Sequence, residues 1–232
     1  MRASAPFPGR PTARPALLVV ASRNRDKLAE LSHALAGLGL DVRGAAEFPG
    51  LPEVEETGET LEENALLKAR SVYEALARSE PRLAARAIAL ADDTGLEVEA
   101  LGGAPGVHSA RFAGPEQSYE RNVALLLERL KGLPEPRRGA RFRTVVAARF
   151  PDGREATAEG ICEGRILEER RGSGGFGYDP VFFVPEAGRT FAQMALEEKG
   201  LLSHRGRAVR AMRRVLAAAL AHAGSGVDEA GD

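Results

Sequence analysis

Two neighbouring carboxylates mark the first place where this sequence could do chemistry. Asp92 and Asp93 follow the apolar segment 87–91 and precede Thr94 and Gly95. The apolar segment predicts a buried strand, and open α/β sheets bind ligands at the carboxyl ends of their strands. Adjacent carboxylates repel each other there unless cations or donors offset the charge. An Asx-turn before Gly95 is a structural alternative, but the doubled acid favours a functional site.

The turn between residues 22 and 27 carries groups that suit phosphate. It lies between an apolar strand at 16–21 and a helix whose leucines recur at helical spacing. A helix N-terminus presents unpaired N–H groups, and a lysine one turn inside adds a full positive charge. Taken alone, a helix cap beside a surface lysine is the simpler explanation. The residues of this turn are Ser22, Arg23, Asn24, Arg25, Asp26 and Lys27.

An acidic loop offers oxygen ligands for a hard cation. Residues 47–59 are rich in proline and glycine and contain Glu53, Glu55, Glu56 and Glu59. Mg²⁺ often takes one or two protein carboxylates and completes its shell with phosphate and water. One glutamate of this loop could therefore join Asp93, while a solvated loop is the simpler explanation for most of the four.

A glycine-rich loop and a late cationic cluster could hold the rest of a nucleotide. Four glycines among residues 172–177 would let the backbone approach a ligand closely. Phe176 and Tyr178 could stack on a planar base, although a flexible hairpin has a similar composition. Lys199, His204 and Arg205 are donors for phosphate or for the oxygen edge of a base, although a surface charge cluster is the simpler explanation. Together these segments indicate a nucleoside triphosphate site that uses a hard metal.

Hydrophobic periodicity predicts the elements that must position these groups. Strands and helices mix along the whole chain, which places it in the α/β class, and a hairpin around residues 151–153 requires a mixed sheet. Thr60 and Glu63 have the spacing of a capping box, and Ser203 is a cap for the last helix. We expect one domain of two lobes over residues 16–223, with disordered tails at 1–15 and 224–232.

Composition excludes several classes of partner and site. The chain has 232 residues, of which 44% are hydrophobic, and its net charge of −1 provides no general field for nucleic acid. Its one cysteine excludes an intramolecular disulfide and a four-cysteine zinc site, and it suits the cytoplasm. Apolar stretches are far shorter than the roughly 20 residues of a membrane span, so no membrane partner is expected.

The segments above, in this order, resemble the inosine/xanthosine triphosphate pyrophosphatase family (XTP/dITP diphosphatases). The resemblance runs from Leu17 to about Leu220 and rests on the combination of motifs. The turn at 22–27 is similar to the family's Thr/Ser-Gly-Asn-x-x-Lys, and 92–96 to its Asp-Asp-Ser-Gly-Leu. Further similar segments are 101–106, 109–112, 174–180, 198–199 and 203–205.

This resemblance implies an elongated mixed β-sheet flanked by helices, with a central nucleotide cleft between two lobes. It implies hydrolysis of ITP, dITP and XTP to a monophosphate and pyrophosphate, with Mg²⁺, by a homodimer. Asp93 falls on the catalytic and metal-binding acid, and Glu53 is the first choice for a second metal ligand. The substrate-binding positions fall on Ser22, Arg23, Asn24, Arg25, Asp26, Lys27, Thr94, Phe176, Gly177, Tyr178, Asp179, Lys199, His204 and Arg205.

The sequence departs from the family pattern at three positions, and two other functions remain open. Arg23 replaces the usual glycine of the phosphate turn, Thr94 replaces a serine, and Gln193 stands where glutamate is frequent. The same loops could belong to a nucleotide-binding regulatory module without turnover. They could also belong to a pyrophosphatase for modified pyrimidine nucleotides.

Overall fold

A computed structural model of the chain describes residues 16–224. Its strands are β1 (Leu17–Val20), β2 (Asp41–Gly44), β3 (Ala87–Val98), β4 (Pro105–Gly106), β5 (Gly139–Arg149), β6 (Glu155–Ile166), β7 (Phe182–Val184) and β8 (Arg189–Thr190). Its α-helices are α1 (Arg25–Leu35), α2 (Leu61–Ser79), α3 (Pro81–Ala84), α4 (Tyr119–Arg129), α5 (Leu196–Leu202) and α6 (His204–Gly224). The strands form one sheet in the order β2-β1-β3-β5-β6-β7-β8, with β4 paired to β3. The sheet is mixed, because β1 pairs in parallel with β2 and β3 whereas β5 and β6 form an antiparallel hairpin, as predicted.

Strand β3 continues through the acid pair, which the sequence had placed after the end of a strand. That prediction was wrong, as was the alternative of an Asx-turn, since β3 spans 12 residues from Ala87 to Val98. Its parallel pairing with β1 ends at Leu90, while its antiparallel pairing with β5 runs from Ala89 to Val98. Hydrogen bonding to β5 keeps the backbone extended where β1 leaves the sheet. The acid pair therefore lies just beyond the carboxyl end of β1 rather than of β3.

Helices cover both faces of the sheet around β3. Ile88 and Leu90 pack with residues of α1 and α6, while Ala89 packs with α2 and Ala91 faces the same side. The side chains alternate because successive residues of a strand point to opposite faces. A further apolar cluster gathers α4 with the outer parts of β3, β5 and β7, and it forms the core of the second lobe.

The predicted starts of α2 and α6 are confirmed. Thr60 and Glu63 form the capping box of α2, and in α4 the cap is the hydroxyl of Ser118. The Ser203 hydroxyl accepts a hydrogen bond from the backbone of Gly206 in the first turn of α6. Residues 1–15 and 225–232, predicted as tails, lie outside the described residues, and Gly224 is the last residue of α6. Within residues 16–224 no helix has the length and apolar character needed to cross a membrane.

Candidate functional site

A cavity of about 650 Å³ brings the separate segments of the sequence together. Residues of both lobes line it, from the turn after β1 to the start of α6. The Asp93 carboxylate lies at its edge, where it contacts the lining residue Lys68. The predictions for the side chains of Arg25 and Asp26 lie outside what the structure describes. Predicted site residues that line the cavity are Ser22, Arg23, Asn24, Lys27, Glu53, Thr94, Phe176, Gly177, Tyr178, Asp179, Lys199, His204 and Arg205.

The turn after β1 is organised by its own side chains. The Ser22 hydroxyl accepts from the Asn24 N–H at 3.2 Å, and Asn24 Oδ1 accepts from the Lys27 N–H at 3.3 Å. Asn24 thus satisfies one of the free N–H groups in the first turn of α1. Burial lowers the pKa of Lys27 and outweighs the nearby Asp92 carboxylate. The turn therefore presents a lysine and a helix N-terminus to the cavity.

Arg23, which stands where the family pattern has glycine, is directed toward the acidic loop. Its Nη2 donates a hydrogen bond to the backbone carbonyl of Leu51 at 3.1 Å. Leu51 is itself buried in the core beside α2. The substitution therefore adds a tether between the turn and the loop that carries Glu53.

Asp92 lies on the α6 side of the sheet and is surrounded by cations. Its Oδ2 lies 3.2 Å from Lys27 Nζ and 3.2 Å from Arg205 Nε, and it accepts from the Thr94 hydroxyl at 3.3 Å. Burial by itself would raise the pKa of Asp92, but Lys27 and Arg205 hold the pKa well below its ordinary value. Asp92 is therefore a permanent anion that orders these cations.

Asp93 lies on the α2 side and meets a different set of partners. Lys68 Nζ donates to its Oδ1 at 2.7 Å, and Asn64 Nδ2 donates to its Oδ2 at 3.3 Å. Burial, reinforced by the charge of Glu56, raises the pKa of Asp93 to about 6 against the opposing effect of Lys68. A carboxylate with a pKa near neutrality that borders a cavity has the properties of a general base.

Lys68 is the central residue that the sequence analysis missed. Its Nζ joins Asp93 to Glu56, whose Oε1 it reaches at 3.0 Å. Burial lowers the pKa of Lys68, but Asp93 and Glu56 reverse that effect, so the pKa is raised and the side chain stays charged. A signal was present in the sequence, because Lys68 falls on the apolar stripe of α2 with Ala65, Ala69 and Val72. Asn64 lies one turn before it on the same helix face.

The acidic loop places two of its carboxylates differently. Glu56 is engaged by Lys68 and by Arg111, whose Nη1 lies 3.2 Å from its Oε2. Glu53, the predicted metal ligand, is exposed at the cavity wall, and its carboxylate has no ion-pair partner within residues 16–224. Over the same residues, no three His, Cys, Asp or Glu side chains converge into a metal-binding group. Of the loop's four glutamates, Glu56 is therefore paired, whereas Glu53, Glu55 and Glu59 have no ion-pair partner among the described residues.

The part of the cavity next to α5 and α6 contains a network of buried charges. Lys199 Nζ donates to Asp179 Oδ2 at 2.6 Å and to Glu30 Oε1 at 2.8 Å, and Arg205 Nη1 reaches Glu30 Oε2 at 2.5 Å. Burial raises the pKa of Asp179, while Lys199 and the Phe176 N–H oppose the shift. Glu30 on α1 was missed by the sequence analysis, and it binds both Lys199 on α5 and Arg205 at the start of α6.

The two aromatic residues of the glycine-rich loop have different environments. Tyr178 is 5% exposed, and its hydroxyl donates to the Ser109 carbonyl at 2.9 Å. Phe176 is only partly buried, and Lys199 Nζ lies 4.7 Å from the centroid of its ring. Both side chains line the cavity, but Phe176 is the one with free ring surface to cover a base.

His204 is a neutral imidazole held between rings. It stacks on Phe142 with centroids 4.3 Å apart and an interplanar angle of 13°. Burial, followed by the charges of Arg205 and Lys199, lowers the pKa of His204 well below its ordinary value. Its buried Nδ1 has no hydrogen-bond partner among the described residues. This end of the cavity thus combines a neutral imidazole with two cations.

Comparison with known proteins places this site in a family. The family model of the Ham1 family matches residues 18–215. A dITP/XTP pyrophosphatase of Desulforamulus reducens is 49% identical over 199 residues, which cover 86% of this chain and 94% of that protein. The protein of the same name from Thermus thermophilus is 52% identical over 84% of this chain and 89% of its own length.

Solved structures have the same fold. The Ham1 protein of Staphylococcus aureus has a TM-score of 0.74 at 38% identity, covering 86% of this chain and 97% of its own. A nucleoside-triphosphatase, also called dITP/XTP pyrophosphatase, from Mycobacterium abscessus has a TM-score of 0.66 at 42% identity and covers 84% and 98%. Sequence and fold agree over nearly the whole described chain, which therefore belongs to the Ham1 family.

Proposed function

We propose that this protein hydrolyses the non-standard purine nucleoside triphosphates ITP, dITP and XTP to the monophosphate and pyrophosphate. The observation that carries the proposal is the Asp93 carboxylate, which Lys68 and Asn64 hold at the edge of a cavity lined by lysine, arginine and aromatic side chains. The names of the relatives, dITP/XTP pyrophosphatase, support this substrate class. Such hydrolysis would remove deaminated purines from the nucleotide pool.

The two ends of the cavity suggest how the substrate lies. The triphosphate faces Lys27 and the N-terminus of α1, because unpaired N–H groups and a lysine attract phosphate oxygens. The base then lies at the end formed by Phe176, Lys199 and the start of α6. Donors at that end suit the 6-oxo group of hypoxanthine and xanthine and leave the 6-amino group of adenine unpaired. A mismatch of this kind can reject a substrate by about 10⁴-fold.

We further propose that Mg²⁺ is the cofactor, held by Asp93 and Glu53. The donor set fits a hard cation, since both are carboxylates and Glu53 is not neutralised by an ion pair within the described residues. When bound, such an ion neutralises charge on the phosphate oxygens and on the pyrophosphate that leaves. Glu56 is less suited, because Lys68 and Arg111 already compensate its charge.

The residues of the chain account for the remaining chemistry. Asp93 accepts a proton from the water that attacks phosphorus, which its near-neutral pKa allows. Lys68 and Asn64 each donate to one oxygen of this carboxylate and hold it in place. Lys27 and the helix N-terminus stabilise the negative charge that develops on the departing pyrophosphate.

We also propose that the enzyme acts as a homodimer in the cytoplasm. The dimer rests on the resemblance to the family. A reducing compartment suits the only cysteine, Cys162, because it is buried and unpaired. Light scattering of the purified protein tests the dimer, and a monomer at micromolar concentration would contradict it.

A substrate panel tests the activity. Pyrophosphate release would be measured with ITP, dITP, XTP, GTP, ATP, dUTP and a modified pyrimidine triphosphate, with and without Mg²⁺. We expect hydrolysis of the first three to exceed that of ATP by orders of magnitude. Equal rates with ITP, ATP and GTP would refute the proposed base recognition. Binding without turnover would identify a regulatory module instead.

A further inference from the structure

Tyr119 connects the two ends of the cavity but belongs to none of the motifs described above. It is the first residue of α4, immediately after the helix cap Ser118, and it is 39% exposed at the cavity wall. Its hydroxyl accepts a hydrogen bond from Asn24 Nδ2 at 2.8 Å. Its ring contacts Phe176, with centroids 5.8 Å apart and an interplanar angle of 35°.

Each of these contacts reaches a residue with an assigned task. Asn24 caps α1 through its Oδ1, so the position of its amide determines where the phosphate turn presents its N–H groups. Phe176 covers the base end, and its ring also lies over Lys199 and Arg205.

We propose that Tyr119 is a positioning residue that links the phosphate-binding turn to the base-covering loop, so that both ends of the cleft adapt to one substrate together. The inference rests on the proposed function for the identity of the substrate. It concerns a residue that does not itself react. Its hydroxyl orients Asn24, and its ring limits the movement of Phe176 away from the cationic groups.

Removing only the hydroxyl separates the two contacts. In Tyr119→Phe the ring remains beside Phe176, while the bond to Asn24 is lost. Binding of tripolyphosphate, a probe for the phosphate end, is expected to weaken by about 3- to 10-fold, the range of one net hydrogen bond. Binding of inosine, a probe for the base end, is expected to stay within twofold. With ITP, KM rises while kcat changes little.

Removing the ring affects both ends. Tyr119→Leu is expected to weaken the binding of tripolyphosphate and of inosine together. Tyr73→Phe is the matched control, because it also removes a tyrosine hydroxyl that hydrogen bonds, here to backbone carbonyls of Ala84 and Pro151 outside the cavity. Circular dichroism and thermal melting of all variants show whether the fold is retained.

A double-mutant cycle identifies the route of the effect. In an Asn24→Ala background, Tyr119→Phe is expected to weaken tripolyphosphate binding less than it does in the unmodified protein, because the hydrogen bond between Asn24 and Tyr119 is already absent. Additive effects, or probe binding in both Tyr119 variants equal to that of Tyr73→Phe, would overturn the inference. The unmodified protein could fail to hydrolyse ITP while the variants still bind the two probes as expected. That result would refute the proposed function and leave the role of Tyr119 standing.

Discussion

Asp92 and Asp93 are adjacent in the sequence, yet their carboxylates lie on opposite faces of the sheet and meet different cations. Asp92 faces Lys27 and Arg205, whereas Asp93 faces Lys68. The alternation of side chains along β3 separates two negative charges that would otherwise repel each other closely. The separation also gives the two carboxyl groups opposite pKa shifts, lowered for Asp92 and raised for Asp93.

Asparagine at each position is expected to have a different effect. Asp93→Asn removes the proton acceptor and should lower kcat for ITP by about 10²- to 10⁴-fold with the fold retained. Asp92→Asn leaves two buried cations without their anion, and the free energy of unfolding should fall by about 3–5 kcal/mol. Steady-state kinetics and urea denaturation of both variants check this contrast. Near-normal turnover by Asp93→Asn would rule out its catalytic role.

The pH dependence of activity and stability should reflect the raised pKa of Asp93. Activity requires the ionised carboxylate, so kcat/KM for ITP, which reports the free enzyme when Mg²⁺ enters with the substrate, should rise with pH through about 6. The folded protein binds this proton more tightly than the unfolded chain, so the contribution of Asp93 to stability is present at acid pH. It is lost as pH rises through about 6. Unfolding free energies of the unmodified protein and of Asp93→Asn, each measured from pH 4 to 8, isolate this contribution. The same dependence on pH in both proteins would contradict it.

Changes at Lys68 and Glu56 should move the pH profile in opposite directions. Lys68 lowers the pKa of Asp93, so Lys68→Met should shift the acid limb of kcat/KM to higher pH and reduce activity at pH 7. Glu56 raises the same pKa, so Glu56→Gln should shift the limb to lower pH. Lys68→Arg, which keeps the charge, serves as the control. Shifts in the same direction for both variants would show that another group controls the limb.

If Glu53 binds Mg²⁺, its substitution should change the Mg²⁺ concentration that activity requires but not the stability of the protein. Glu53→Gln should raise the Mg²⁺ concentration for half-maximal activity by about 10-fold or more, with little change in stability. Glu59→Gln is the control, because Glu59 belongs to the same loop but does not line the cavity. Magnesium titrations at fixed ITP provide the measurement. Identical titration curves for the two variants would remove Glu53 from the metal site.

Base discrimination should depend on His204. His204→Phe keeps a ring that can stack on Phe142 and removes both ring nitrogens. The ratio of kcat/KM for ITP to that for ATP should fall by about 10-fold, the effect of one good hydrogen bond. Because the pKa of His204 lies well below its ordinary value, the ratio for the unmodified protein should be constant between pH 6 and 8. A ratio that changes over this range would contradict a neutral imidazole.

Local patterns were sufficient for much of the fold and for most residues of the candidate site. Periodicity predicted α1, and capping residues predicted the starts of α2 and α6, because these features depend on neighbours in the chain. The motifs of the turn after β1, the acid pair and the glycine-rich loop together predicted one nucleoside triphosphate site. Those predicted residues whose side chains the structure describes line the cavity, apart from Asp93 at its edge.

Contacts between residues distant in the chain were decided by the tertiary structure. Pairing with β5 extended β3 through the acid pair, and no local pattern reports a partner strand about 50 residues away. Packing of α2 against β3 brought Lys68 to Asp93, and packing of α1 against α5 and α6 brought Glu30 to Lys199 and Arg205. Burial and charge at those contacts set the pKa values on which the chemistry depends. Such energies arise only when the surrounding groups are assembled in space.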